Sequence, residues 1–453
     1  MKKRTFLKTS STLLAGSLFA PWTACKQSSA PQEEAPVRTN WAGNLTYSTN
    51  QLHQPTSVEA LQELVLKSEK VRALGSRHCF NRIADSRYSQ ISLDALPALM
   101  EADPAAGTVS TGAALRYGQL CPYLHKQGLA IHNLASLPHI SVAGACATGT
   151  HGSGVHNGNL STAVTGMELV RADGELVQLS AATHPTIFPG AVVHLGALGI
   201  VTRLQLKVQP AFQMRQMVYQ FLPESQLEAH FDQIMSAGYS VSLFTDWQSD
   251  TVNQVWIKER LEETRPEAPA SEFFGAKLAT RNLHPIVELS AENCTEQMGV
   301  PGPWYERLPH FRMNFTPSSG KELQTEFFVP QERAVEALAA MRALHREVAD
   351  LLLISEIRTV AADQLWLSPA YGRPSVAIHF TWKQDRQALD RILPKIESAL
   401  APFDMRPHWG KIFGVPAEVL ASRYEKMADF RALMKEYDPN GKFKNEFLES
   451  VMA

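Results

Sequence analysis

Cysteine is scarce in this chain. Five occur in 453 residues, with no CxxC and no Cys/His cluster at metal-ligand spacing. That excludes the usual structural zinc patterns, and Cys79, Cys121, Cys146 and Cys294 suggest no disulfide framework. A basic excess is also missing. The 43 Lys and Arg face 45 Asp and Glu, for a net charge of −2. No Lys/Arg-rich stripe is available to neutralise a phosphate backbone, so nucleic acid is not an expected partner. There is no GxGxxG after a first strand and no GxxxxGK[ST], so neither the usual dinucleotide fingerprint nor a P-loop is present. No internal repeat is visible. The apolar stretch "TSSTLLAGSLFAPWTA" at 9–24 is too short and too polar to stay in a bilayer.

That stretch follows the basic "MKKRTFLK", and residues 1–25 read as a cleaved export signal. "KRTFLK" resembles the twin-arginine signal with Lys3 in place of the first arginine. "WTAC" at 22–25 resembles a lipobox with Trp22 at the usual aliphatic position. Cys25 is therefore either a lipidated membrane anchor or an ordinary signal-peptide cysteine. Residues 26–39 form a polar Ser/Pro/Glu tether with nothing to bury. Together these imply an exported protein of the periplasm or cell envelope.

A chain of this length exceeds one compact core, so two domains are expected, in an α+β fold. Residues 40–210 show short strands, tight turns and glycines. "SVEALQELVLKSEK" has helical apolar spacing, "VRALG" follows as a strand, and "GQLCPYLHKQGLA" reads as a helix closed by Gly128. "GMELVRADGELVQLS" is a hairpin through Asp173-Gly174, and "GIVTRLQLKVQP" is a strand ended by Pro210. Residues 211–430 alternate longer strands and helices. "FQMRQMVYQFLP", "VSLFTDWQ", "LISEIRTV" and "SVAIHFTWK" are strands. A long amphipathic helix is expected to open at Pro330, and another over "DRQALDRILPKIESAL" to be interrupted by Pro394. The tail 431–453, with "YDPNGKFKNEFL", is expected to return to the first domain.

Two stretches of the first half carry chemistry. "VRALGSRHCFNRIA" sets His78 on a tight turn directly after a strand. "SLPHISVAGACATGTHGSGVHNGN" at 136–159 is rich in small residues and has no charged side chain. Such a segment lets backbone N–H groups approach a pyrophosphate or a flat polar ring, though a purely structural loop has the same composition. In the second half, Glu356 and Arg358 lie at i and i+2 in "SEIRT", and His379 and Thr381 in "IHFTW". On strands these pairs share a face. The row is either a solvated face or the wall of a polar cleft, and its apolar and aromatic flanks favour the cleft. Lys411 in "RPHWGKIF" adds a cation, and Gln324 in "ELQTEFF" an amide.

Taken in order, "GSRHCF", "SLPHISVAGACATGTHGSG", "GALGIVT" and "DPNGKF" resemble the vanillyl-alcohol oxidase type of flavoprotein. That fold pairs an FAD-binding domain with an α+β cap domain built on a large antiparallel sheet. Within it, "SEIRTVAADQLWLSPAYGRPSVAIHFTW" is similar to alditol oxidases, and more remotely to sugar-lactone oxidases. Arg77 and Cys79 depart from the family's "GSGHSF". The resemblance runs from about residue 40 to the C-terminus. It implies FAD attached covalently through His78, with Gly75, Ser76, Arg77, Cys79, Ser136, Ser141, Gly144, Thr148, Gly149, Thr150, His151, Gly152, Ile200 and His408 around it. The pyrophosphate is expected on the 141–154 loop.

By the same resemblance Ser136, Gln324, Glu356, Arg358, Thr381 and Lys411 bind a polyol substrate. Glu356, Arg358, Lys411 and His379 are the catalytic set, and no metal is implied. The expected reaction is oxidation of a terminal CH–OH of xylitol, sorbitol or a similar polyol to the aldose. Hydride passes to flavin N5, and O2 is reduced to H2O2. Glu356, His379 and a deprotonated Lys411 all stay open as the base. A monomer is expected. Two alternatives remain: a dehydrogenase of a sugar lactone or other hydroxy compound passing electrons to a quinone or cytochrome, and a non-enzymatic exported sugar-binding lipoprotein.

Overall fold

Three short parallel strands open the fold: β1 (Leu52–His53), β2 (Val71–Ala73) and β3 (Ser89–Ile91), in the order β1-β3-β2. The computed structural model describes residues 37–261, 268–313 and 321–452. The export-signal reading, Cys25 and most of the 26–39 tether lie outside the described residues. Helix α1 (Val58–Lys67) joins β1 to β2. Ser57 caps it by accepting from the Ala60 N–H, and Leu61 and Val65 are its buried stripe.

The next sheet is antiparallel. It begins with β4 (Met100–Asp103) and β5 (Thr108–Gly112). Helix α2 (Tyr117–Lys126), the two-residue β6 (Leu129–Ala130) and the short helix α3 (Val142–Ala147) intervene. Then β7 (Val164–Val170), β8 (Leu176–Ser180) and β9 (Ile200–Lys207) complete the order β4-β5-β9-β7-β8. The hairpin turn places Gly174 at φ 79° and pairs Val170 with Leu176. β9 stops at Lys207, short of the predicted Pro210. Gln209–Pro210 form a separate strand, β10, paired with β6, because Pro lacks the N–H a longer ladder requires.

The remaining strands build one ten-stranded sheet. They are β11 (Gln213–Pro223), β12 (Ser240–Thr245), β13 (Thr251–Leu261), β14 (Glu272–Phe273), β15 (Ala276–Leu278), β16 (Gly302–Pro303), β17 (Glu322–Pro330), β18 (Leu352–Val360), β19 (Ser375–Lys383) and β20 (Arg406–Pro407). The order is β14-β15-β11-β13-β12-β18-β19-β17-β20, with β16 also on β11. Helices 224–235 and 334–342 pack on it, and helix 386–400 packs on helix 334–342. The register sets Glu326 opposite His379 and His379 opposite Glu356. It sets Gln324 opposite Thr381, one pleat along.

Two helix expectations are corrected. Pro330 closes β17 instead of opening a helix. A short 3-10 turn follows, the helix begins at Ala334, and it breaks after Arg342 before His345–Val348. Helix 386–400 runs through Pro394 without interruption. A proline there removes its own N–H bond, but the buried stripe Leu389, Leu393, Ile396 and Leu400 holds both halves to the core. In the tail, the Lys442 carbonyl accepts from the Val71 N–H at 2.9 Å, and Arg72 donates to the Phe443 carbonyl at 2.7 Å. The tail thus packs against β2.

Candidate active site

A cavity of about 330 Å³ lies between the two halves of the fold, within the size range of small-molecule sites. On one side stand the 73–81 turn, the 135–151 segment and residues 194–201; on the other stand β17, β18, β19 and the 408–411 loop. The turn after β2 is stitched to α3. The Ser76 hydroxyl accepts from the Ser141 N–H at 2.9 Å. A Cβ on Gly75 or Gly144 would lie 2.7 or 2.6 Å from the Ser141 Oγ, so side chains are excluded at both. On its far side the turn is tied to the 408–411 loop. The Phe80 N–H donates to the Gly410 carbonyl at 2.8 Å, and Asn81 donates to the Trp409 and Lys411 carbonyls at 2.8 and 2.6 Å.

His78 sits between these anchors, its ring stacked on Trp41 with centroids 5.1 Å apart. Both ring nitrogens are shielded from water and complete no hydrogen bond. Burial pushes the imidazole down to about 3, against an opposing pull from the Ser76 backbone, which is near without forming a bond of normal geometry. His78 is therefore a neutral, unpartnered imidazole on the cavity wall. Burial also pushes the Cys79 thiol up to about 11, so at neutral pH it is not a thiolate. Arg77 has φ 65°, the left-handed region that favours glycine.

Of the residues expected around a flavin, Gly75, Ser76, Arg77, His78, Cys79, Ser136, Ser141, Gly144, Thr148, Thr150, His151, Ile200 and His408 line this cavity. Gly149 and Gly152 do not. Gly149 makes a turn at φ 65°, and a Cβ on Gly152 would lie 2.4 Å from the Leu134 carbonyl. Both shape the segment instead of facing the cavity. The orphaned His78 nitrogens and the side-chain-free cradle at Gly75 and Gly144 fit an aromatic cofactor laid against the turn.

The opposite wall is a buried charge network centred on Glu326, which is 2% exposed. Its carboxylate accepts from Arg358 Nη2 at 2.7 Å and lies 3.0 Å from His151 Nε2. His379 Nδ1 lies 3.4 Å from its other oxygen, an electrostatic contact more than a completed hydrogen bond. Burial alone would raise the Glu326 carboxyl. Arg358, His151 and His379 outweigh it and hold the group well below the usual carboxylate range. Glu356 is treated alike: burial opposes ionisation, and Arg358 and His310 hold it well below that range. Its Oε1 lies 2.7 Å from His310 Nε2 and 3.5 Å from Arg358 Nε. Arg358 also reaches the Ser136 hydroxyl at 3.4 Å, and His379 Nε2 the Thr381 hydroxyl at 3.2 Å. Lys411 bonds Gln324 and lies over the Phe80 ring at 4.9 Å. Of the substrate and catalytic residues expected from the sequence, Gln324, Glu356, Arg358, His379, Thr381 and Lys411 share this wall, and Ser136 faces them from the 135–151 segment.

Three members of this network were not expected. Glu326 was legible, since it stands at i+2 from Gln324 on β17. His310 and Lys258 carry no local signal. His310 touches Glu356, and Lys258 touches His310, only through the packing of β13 and the 308–311 segment against β18.

This arrangement, a small-residue cradle facing a polar sheet wall, defines an FAD-dependent oxidoreductase of the vanillyl-alcohol oxidase type. A profile of the FAD binding domain matches residues 50–180, and one of D-arabinono-1,4-lactone oxidase matches residues 314–451. The cholesterol oxidase of B. sterolicum has the same fold, with TM-score 0.72 over 92% of this chain and 96% of that one, at 14% identity. An alditol oxidase from a Streptomyces species is 48% identical over 91% of this chain and 98% of its own length. An L-gulono-1,4-lactone dehydrogenase from Mycobacterium tuberculosis is 26% identical over 92% of this chain and 100% of its own. The chain belongs to the alditol oxidase family.

Proposed function

We propose that this chain oxidises a terminal CH–OH of an alditol such as xylitol or sorbitol to the aldose, with O2 as electron acceptor and H2O2 as product. One observation carries the reading. Gln324, Glu356, Arg358, Thr381 and Lys411, all on the cavity wall, lie opposite the His78 turn. The mixture suits adjacent hydroxyls, because it offers fixed donors and acceptors that an analogue lacking an OH would leave unpaired.

His78 would hold the flavin covalently, with Ser76, Ser141, Thr148, Thr150 and His408 around it. When bound, the flavin supplies the hydride acceptor. The protein's part is positioning and charge. Arg358 and Lys411 place cations where the hydroxyl oxygen gains charge. Glu356, kept ionised, is an acceptor that orients the reacting hydroxyl. His379 suits the base: burial lowers its proton affinity despite Glu326, so it is neutral at pH 7, and its Nε2 reaches the Thr381 hydroxyl on the cavity wall. Export through residues 1–25, and lipidation of Cys25, belong to the same proposal and are read from the mass of the mature N-terminus.

The test is an absorbance spectrum of purified protein, taken before and after anaerobic addition of sorbitol or xylitol. A yellow protein that bleaches with polyol, recovers in air and yields peroxide supports the reading. Colour that bleaches only with a sugar lactone, or that air does not restore, favours the dehydrogenase. A protein that binds polyol without colour is a sugar-binding protein.

A further inference from the structure

Lys258 is a lysine buried without a carboxylate partner. It is 0% exposed on β13 and makes no ion pair among the described residues. A buried cation is costly unless its protons are placed. Here they are: Nζ lies 2.6 Å from the Leu308 carbonyl, 2.9 Å from the Pro309 carbonyl and 3.3 Å from His310 Nδ1. Two of these neighbours are carbonyls that can only accept, and His310 Nδ1 stands where the third proton of an ammonium would point. With Nδ1 receiving, the neutral His310 ring carries its proton on Nε2, and that N–H points at Glu356 Oε1, 2.7 Å away. Burial pushes His310 down to about 4, which keeps the ring neutral. Phe244 and Trp256 clamp it edge-on at 5.5 and 5.2 Å, and its backbone N–H donates to the Ser136 carbonyl at 3.2 Å. Glu356 Oε2 makes no hydrogen bond among the described residues, and Glu356 lines the cavity.

We propose that Lys258 and His310 are positioning residues for Glu356. The ammonium fixes His310 as the Nε2–H tautomer, and that N–H occupies Oε1, so the carboxylate stays charged with Oε2 turned to the substrate hydroxyls. This rests on the polyol reading of the cavity. It adds two residues that do not themselves react.

Substitution separates the tautomer lock from mere packing. The side-chain amide of His310→Gln donates to Glu356 and accepts from Lys258, as the fixed tautomer does; His310→Met fills the space and does neither. Polyol affinity is read from the flavin absorbance change on anaerobic titration, with flavin content and melting temperature beside it. His310→Met and Lys258→Met should bind polyol at least tenfold more weakly while keeping their flavin, and His310→Gln should stay within about threefold of the parent. Parent-like binding by His310→Met, or equal loss in Gln and Met, overturns the proposal. If these variants do not fold, 15N-histidine NMR of the unaltered protein at pH 6 decides it. The His310 signals, assigned by their through-space contacts with the Phe244 and Trp256 rings, should show Nε2 protonated and Nδ1 bare; the reverse tautomer overturns it. A parent protein that no polyol bleaches defeats the substrate reading instead, and the NMR result still tests the lock.

Discussion

Arg358 Nη2 lies 2.7 Å from Glu326 Oε1, and both side chains are at least nine-tenths buried. The ion pair is the hub of the cavity wall, because Arg358 also contacts Glu356 and Ser136, and Glu326 also contacts His151 and His379. Removing one partner leaves the other charge buried and alone. Glu326→Ala should therefore cost about 3–5 kcal/mol of stability in denaturant unfolding, with Glu326→Gln costing less because its amide oxygen still accepts from Arg358. An unchanged midpoint for Glu326→Ala would mean the network is not held as described.

His78→Ala should leave flavin that acid precipitation strips, while the parent protein precipitates yellow. Intact-mass analysis of the parent should show the polypeptide plus one flavin dinucleotide. If the flavin stays with His78→Ala after acid treatment, the attachment point is elsewhere.

Arg77 sits at φ 65°, where a side chain costs roughly 1 kcal/mol. Among the described residues its guanidinium makes only a long 3.4 Å bond to the Thr39 carbonyl, while its own carbonyl accepts from the Trp41 N–H at 2.8 Å. Arg77→Gly should relieve that strain and offset part of it by unfolded-state entropy, a net gain of up to about 1 kcal/mol. Arg77→Ala keeps the strained φ and should give no gain. Equal midpoints for the two variants would show that the turn is not strained at this residue.

Acid should destabilise the fold well before its carboxylates titrate as free groups. Burial pushes His194 and His310 down to about 4, whereas an unfolded histidine titrates near 6.5, so below about 6.5 the unfolded chain binds more protons. Stability then falls as pH drops from about 6.5 towards 4. Glu326 and Glu356, held low, add a further loss as pH drops below about 4.3. Lys258, pushed down to about 7 by burial, acts in the same direction between about 10.4 and 7. Melting temperatures across pH 4 to 8 should rise with pH; a shallower rise in His310→Gln would give the share of His310, and a flat profile in the parent would contradict the account.

Much of this was legible in the chain. Period-two spacing placed Glu356 with Arg358 and His379 with Thr381 because β18 and β19 are regular strands, and residues two apart on a strand must share a face. The small residues of 136–159 read as leaving room for a ligand at the backbone, and at Gly75 and Gly144 the space a Cβ would take is held by the Ser141 hydroxyl. What stayed hidden depends on segments far apart in the chain. Lys258 meets His310, and His310 meets Glu356, only once β13, the 308–311 segment and β18 are packed, and no local pattern encodes that. Pro330 and Pro394 misled for a related reason: tertiary burial decides whether a proline starts, stops or merely sits within a helix.

The measurement that bears most directly on the whole account is anaerobic flavin reduction by sorbitol or xylitol in Arg358→Ala beside the parent. The account predicts that the variant keeps its yellow colour and still melts cooperatively, at a lower temperature, while its reduction rate falls at least a hundredfold, a loss of about 2.7 kcal/mol or more in transition-state stabilisation. A variant reduced as fast as the parent would place the chemistry somewhere other than this cavity.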